Sequence, residues 1–67
     1  MRTEQEILMD FEKWGWKVVE NNKNWLRLKM LEAEILICKT SKEYDCDWIL
    51  PTEHKLLNEL FQCWGWI

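Results

Sequence analysis

Four side chains in this sequence are potential metal ligands or nucleophiles: Cys38, Cys46, Cys63 and the only histidine, His54. Structural zinc sites draw their ligands from closely spaced pairs such as Cys-x-x-Cys, and none of these residues has that spacing. Free cysteines are also common as small apolar residues of a protein core. We therefore predict that the chain binds no metal and needs no cofactor.

Catalysis by a cysteine requires an environment that stabilises the thiolate. Cys46 instead lies between Asp45 and Asp47, whose negative charges disfavour a thiolate. The sequence does not place a nucleophile, a base and an orienting group together, and its acidic pairs suit a solvated strand face as well as acid–base chemistry. With two glycines in all, the chain also has no glycine-rich phosphate loop. We predict that the protein is not an enzyme and has no catalytic residues; a metal- or thiol-dependent enzyme is the least favoured alternative.

The charge of the chain argues against general nucleic-acid binding. Nine basic and twelve acidic residues give a net charge of −3, whereas affinity for nucleic acids depends on lysines and arginines. The basic residues nevertheless concentrate between positions 13 and 29. This leaves one alternative open, in which Trp25 stacks on a base of a single strand while Lys17, Arg27 and Lys29 contact phosphates.

The pattern Phe-x-x-Trp-Gly-Trp occurs twice, at positions 11–16 and 61–66. Glycine commonly follows the last residues of a helix because it adopts a left-handed conformation without steric cost. In that geometry the residue after the glycine packs on the residue five positions earlier. The pattern therefore predicts two helix ends, with Trp16 on Phe11 and Trp66 on Phe61.

The apolar spacing before each pattern predicts the two helices themselves. Thr3 and Glu6 form a capping box that starts the first helix, and Thr52, after Pro51, is the predicted N-cap of the second. The apolar stripe of the first helix is Ile7, Leu8, Phe11 and Trp14. The stripe of the second is Leu56, Leu57, Leu60, Phe61 and Trp64.

Between the helices, alternating residues predict strands at 16–20, 24–30 and 33–39, and a short fourth strand or extended segment at 44–48. A three-residue turn in the first hairpin pairs Val19 with Trp25, Val18 with Leu26, and Trp16 with Leu28. In the second hairpin, the predicted pairs are Met30 with Ala33, Leu28 with Ile35, Leu26 with Ile37, and Lys29 with Glu34.

Together these elements predict one α+β domain spanning residues 1–67, in the order α-β-β-β-(β)-α. It has an antiparallel sheet of three to four strands, with the two helices packed mainly on one face. The strand at 33–39 is apolar on both of its sides, and two short helices cover only one side of such a sheet. The opposite side would expose Val19, Trp25, Leu36 and Cys38 unless a helix or the fourth segment crosses to cover it.

We predict that this exposed side binds a partner, because apolar patches that contain Trp and Arg are typical of interfaces. The predicted partner-binding residues are Lys17, Val19, Trp25, Arg27, Lys29 and Leu36.

The element order is similar to that of double-stranded RNA-binding domains over most of the chain. Those domains carry a basic cluster at the start of the second helix, where this chain has Thr52-Glu53-His54-Lys55, so the resemblance does not extend to RNA binding. The segment 35–40 looks faintly like the catalytic strand of PD-(D/E)xK nucleases. That motif needs an acidic residue as a metal ligand at the position where this chain has Ile37, so the resemblance does not extend to nuclease activity.

The sequence shows no apolar leader region and no run long enough to span a bilayer. Its three cysteines cannot all pair within one chain, which favours reduced thiols and a cytoplasmic location. Our hypothesis is a small protein–protein interaction module, an inhibitor or adaptor of the size common in phage and mobile elements. Its partner would be another protein or a second copy, as in a homodimer, with no membrane and no small-molecule substrate.

Overall fold

The computed structural model describes residues 2–67, so the first residue of the predicted domain lies outside it. Its elements are α1 Glu4–Lys13, β1 Lys17–Asn21, β2 Trp25–Met30, β3 Ala33–Cys38, β4 Glu43–Cys46 and α2 Pro51–Cys63. The four strands form one antiparallel sheet in chain order, and both helices pack on one of its faces. The predicted α+β architecture is confirmed.

Helix α1 begins and ends as its sequence predicts. The Thr3 backbone N–H donates to Glu6 Oε1 at 2.9 Å, and the Glu6 N–H donates back to Thr3 Oγ1 at 3.3 Å. At the other end Gly15 has φ +101°, and the Trp16 N–H donates to the Phe11 carbonyl at 3.1 Å. The Trp16 ring meets the edge of Phe11 with centroids 6.4 Å apart. This is the Schellman geometry that the hexapeptide requires.

Helix α2 ends in the same way but begins two residues earlier than predicted. The Trp66 N–H donates to the Phe61 carbonyl at 2.8 Å, and the two rings stack with centroids 4.9 Å apart. Thr52 is not the N-cap: that position belongs to Leu50, and the proline after it is the first helical residue. Proline suits this place because its missing N–H would be unpaired there anyway. The Glu53 carboxylate replaces the missing cap by accepting from the Leu50 N–H at 2.7 Å.

Each helix end is tied to the start of the other helix, so the helices run antiparallel. The Trp16 indole donates to the buried carboxylate of Glu53, and the Trp64 indole donates to Glu4 Oε1 at 2.6 Å. Arg2 adds an ion pair across the helices, with Nη2 2.7 Å from Glu59 Oε2. Trp14, predicted to lie in the apolar stripe of α1, is instead 54% exposed at the C-cap position.

The core lies between the helices and the inner face of the sheet, which we define as the face toward the helices. Its residues are Ile7, Leu8, Phe11, Trp16, Leu26, Leu28, Ile35, Ile37, Ile49, Leu56, Leu57, Leu60 and Phe61. Burial of these side chains supplies most of the stability of a chain this short.

The predicted register of the first hairpin is wrong. Val18 pairs with Leu28 rather than Leu26, and the predicted Val19–Trp25 and Trp16–Leu28 pairs do not form. The register shifts between Val18 and Glu20, so Val19 occupies a bulge. Before the bulge the error is two residues, which leaves each side chain on its predicted face because side chains alternate with period two. Beyond the bulge the error is three residues, so Glu20 shares the face of Arg27 instead of that of Val18.

The second hairpin has all four predicted pairs, including Lys29 opposite Glu34. Its two-residue turn is unusual, because Leu31 has φ +54° and is 95% exposed. A leucine in the left-handed region costs about 1–2 kcal/mol relative to a right-handed conformation. Nothing in the packing of the domain offsets that cost.

We expect Leu31→Asn to raise the free energy of unfolding by about 0.5–1 kcal/mol, because asparagine tolerates the left-handed conformation. Urea denaturation measures the change, and Leu31→Ala is the matched control, since alanine removes the exposed side chain without that tolerance. Equal stabilities for the two variants would show that the backbone at Leu31 is not strained.

The fourth segment forms a strand only at Glu43–Cys46 and does not cover the sheet. Tyr44 lies opposite Ile37 on the inner face, and its ring is 5.1 Å from that of Phe61. Trp48, predicted to continue the alternation, lies beyond the strand and is exposed.

Candidate functional site: the outer face of the sheet

The outer face, the face turned away from the helices, is set by the strand pairing. Three rows of side chains cross it: Lys17, Lys29 and Glu34; Glu20, Arg27, Leu36 and Asp45; and Trp25, Cys38 and Glu43. Five of the six predicted partner-binding residues stand in these rows. The sixth, Val19, lies at the bulge of β1 and is 47% exposed.

An open groove with a volume of about 330 Å³ lies on this face. Trp25, which is 39% exposed, and the half-buried Leu36 and Cys38 form its apolar wall. The remaining lining residues are Ser41, Glu43, Tyr44 and Asp45. Both helices pack on the inner face, so within residues 2–67 this groove opens to solvent.

The charges of the outer face are divided between its two halves. The β1–β2 half has three cations and one anion: Lys17, Arg27, Lys29 and Glu20. The β3–β4 half has three anions and no cation: Glu34, Glu43 and Asp45. Three acidic residues that the sequence did not single out as binding residues thus join the site. Glu34 lies on β3 opposite Lys29 as predicted, whereas the position of Glu43 and Asp45 beside the groove depends on the pairing of β4 with β3.

Two features of the basic half leave cationic groups without sufficient anions. Lys17 and Lys29 are direct cross-strand partners, and like charges in that position are unfavourable. The buried Nε of Arg27 finds no hydrogen-bond acceptor among the described residues, and the nearest carboxylate oxygen, Oε2 of Glu34, is 3.8 Å away. The exposed Lys17 and Lys29 ammonium groups can therefore bind an anionic partner, whereas the buried Arg27 Nε is out of reach of one.

Cys38 has a chemical environment that the sequence analysis missed. The hydroxyls of Ser41 and Thr40, the latter with Oγ1 3.2 Å from Sγ, lower the pKa of Cys38 to about 7. Hydrogen bonds favour a thiolate because they stabilise its negative charge. The two hydroxyl residues follow Cys38 closely in the sequence, but only the fold of the loop, in which Lys42 has φ +59°, brings them to the sulfur.

We expect iodoacetamide to alkylate Cys38 before Cys46, with a rate that rises as the pH passes through about 7. Burial, with Asp45 and Asp47, raises the pKa of Cys46, so its thiolate is scarce at that pH. Mass spectrometry of digested protein after timed alkylation measures both rates. Ser41→Ala should move the Cys38 profile to higher pH. Faster alkylation of Cys46 in the folded protein would contradict the assignment.

The other candidate ligands are not brought together. Residues 2–67 contain no group of three or more His, Cys, Asp or Glu side chains that could hold a metal ion. Cys38, Cys46 and Cys63 are all free thiols, and His54 is exposed in the first turn of α2. Among the described helices, none has the length and apolar character needed to cross a membrane.

Comparison with known proteins adds no further assignment: no family model, no curated protein and no solved structure matches this chain.

Proposed function

We propose that this protein is a small interaction module, of the inhibitor or adaptor kind, that binds a protein partner in the cytoplasm through the outer face of its sheet. The observation that carries the proposal is the open outer face, where Trp25 and Leu36 stand in a groove rather than in a core. A small domain seldom leaves a tryptophan and a leucine side by side on a sheet without a binding role. Trp and Arg are also the residue types most enriched among interface residues that dominate affinity.

The charges of the same face favour a protein over a nucleic acid. A nucleic-acid single strand that bound at Arg27 would also meet the carboxylates of Glu20 and Glu34. Near Trp25 the same strand would meet the acidic residues of β4. A phosphate chain needs a continuous basic track, and this face offers only a basic half. The proposal also assigns no catalytic group, because the groove around Cys38 supplies hydroxyls and the Glu43 carboxylate but no histidine to pair with the thiol.

A photo-crosslinking experiment tests the proposal. A photoreactive amino acid replaces either Lys29, on the outer face, or Lys55, which is equally a surface lysine but belongs to α2. We expect irradiation in concentrated native extract to give a defined adduct from position 29 and none from position 55. Adding Leu36→Asp should abolish the position-29 adduct, because a carboxylate in the apolar groove wall is costly to bury.

The circular dichroism spectrum of the Leu36→Asp variant must match that of the parent protein, so that loss of the adduct reports on the surface and not on unfolding. Adducts of equal yield from positions 29 and 55, or an adduct that survives Leu36→Asp, would overturn the assignment of binding to the outer face.

A further inference from the structure

We propose that the partner on the outer face is a second copy of this chain, related to the first by a two-fold axis. This inference rests on the proposed function, because it names the occupant of the same surface. Its basis is the division of the face into a basic β1–β2 half and an acidic β3–β4 half. A surface with this division is complementary to itself when one copy is turned over onto the other.

The sheet order fixes which axis achieves this. The border between the two halves runs between β2 and β3, the two central strands. A two-fold axis parallel to that border, in the plane between two facing sheets, places β1 of one copy over β4 of its partner and β2 over β3. Each basic half then covers an acidic half, and because such interfaces are isologous the same contacts occur twice. Face-to-face packing with nearly aligned strands is also the common arrangement of β-sandwiches.

The unfavourable opposition of Lys17 and Lys29 in the single chain is relieved in this dimer. The axis keeps each row in place and exchanges β2 with β3, so Lys29 of each copy lies over Glu34 of the other, while Arg27 lies over Leu36 and the contact of Glu20 with Asp45 is the one between like charges. The row that contains Trp25 and Cys38 meets its own counterpart, so Trp25 of each copy lies over Cys38 in the groove wall of the other. A foreign protein would need to supply both charge signs in this division, whereas a second copy has them already.

The size of the face indicates how strong the association is. Four strands spaced about 4.8 Å apart and about five residues long give a face of roughly 19 by 17 Å. Side chains on such a face bury less than the roughly 800 Å² per partner that stable interfaces of standard size bury. We therefore expect a dimer that dissociates on dilution rather than a permanent one.

Charge reversal in matched pairs tests the two-fold arrangement. One variant carries Lys29→Glu, so that two carboxylates meet at each contact between position 29 of one copy and Glu34 of the other. The other variant carries Glu34→Lys, so that two ammonium groups meet at the same contacts. Each variant alone should be monomeric in sedimentation velocity at concentrations where the wild-type chain is dimeric. An equimolar mixture of the two should form a heterodimer, because opposite charges then meet at both contacts.

The control adds Leu36→Asp to both reversed variants, and we expect it to abolish the heterodimer. That loss would show that attraction between oppositely charged molecules is not enough to form it. High salt should weaken the wild-type dimer, since the screening length falls to about 3 Å at 1 M. A wild-type chain that stays monomeric at the highest soluble concentration, or reversed variants that dimerise like the wild type, would overturn the inference. If that chain is monomeric but position 29 still cross-links specifically to a different protein, self-association fails and the proposed function stands.

Discussion

Replacing Glu53 by glutamine is expected to lower the free energy of unfolding by about 2–3 kcal/mol, although the two side chains have nearly the same shape. Glu53 is buried, and its two oxygens accept from two different donors: Oε1 from the Leu50 N–H and Oε2 from the Trp16 indole. An amide has one accepting oxygen and one donating nitrogen. Whichever way the glutamine turns, its NH₂ group faces a donor, either the buried Trp16 indole or the part-buried Leu50 N–H, and one hydrogen bond is lost.

The expected loss is a large part of the total stability. Domains of this size have unfolding free energies of about 3–10 kcal/mol when the usual range per residue is applied. Urea denaturation monitored by circular dichroism measures the difference in midpoint. A variant with an unchanged midpoint would show that neither donor depends on the carboxylate.

Glu4→Gln is the matched control, because Glu4 makes the reciprocal contact at the opposite ends of the helices. Its Oε1 accepts from the Trp64 indole at 2.6 Å, but the side chain is only half-buried. A glutamine there keeps the accepting oxygen on Trp64 and loses only the exposed hydrogen bond, 3.3 Å long, that Oε2 accepts from the Asn21 side-chain amide. We expect a cost below about 1 kcal/mol, in line with a single hydrogen bond near the surface.

The two hexapeptides show how far local patterns determine this fold. Only glycine enters the conformation that Gly15 and Gly65 adopt without strain, so the helix ends and the packing of Trp16 on Phe11 followed from the sequence. The hydrogen-bond partners of the Trp16 and Trp64 indoles could not be predicted from the sequence. Glu53 and Glu4 are remote in sequence from these tryptophans and meet them only when the helices pack. Thr52 appeared to be the N-cap for a different reason. The cap contact from Leu50 to Glu53 is local, but Leu50 has no accepting side chain that would mark it as a helix start.

The candidate site likewise has one part that the sequence predicts and another that depends on the tertiary structure. Alternation along the strands was enough to place Trp25, Arg27 and Leu36 on a common face. This placement is correct although the predicted register of the first hairpin is wrong. The bulge at Val19 was not predicted, because an alternating pattern assumes uninterrupted pairing of the two strands. The position of Glu43 and Asp45 on the face and the hydroxyls around Cys38 depended on a loop whose shape no short pattern encodes.

Replacing Trp25 by alanine is expected to weaken binding at the outer face about thirtyfold while leaving the fold intact. The ring lies at the groove and is partly exposed, and its strand neighbour on β3 is Cys38 rather than a core residue. A tryptophan in such a place contributes to an interface more than to the interior, so the free energy of unfolding should change by less than about 1 kcal/mol. Sedimentation equilibrium measures self-association, and urea denaturation measures stability.

Trp14→Ala is the control for Trp25→Ala, because Trp14 is also partly exposed but belongs to the end of α1, away from the outer face. It should leave association unchanged. If Trp25→Ala instead unfolds the domain, the ring belongs to the core. If both tryptophan variants weaken association equally, the contact is a general attraction between exposed rings. A loss confined to Trp25→Ala is the result that assigns binding to the groove, because both variants remove an apolar ring without altering charge and only Trp25 lies at the groove.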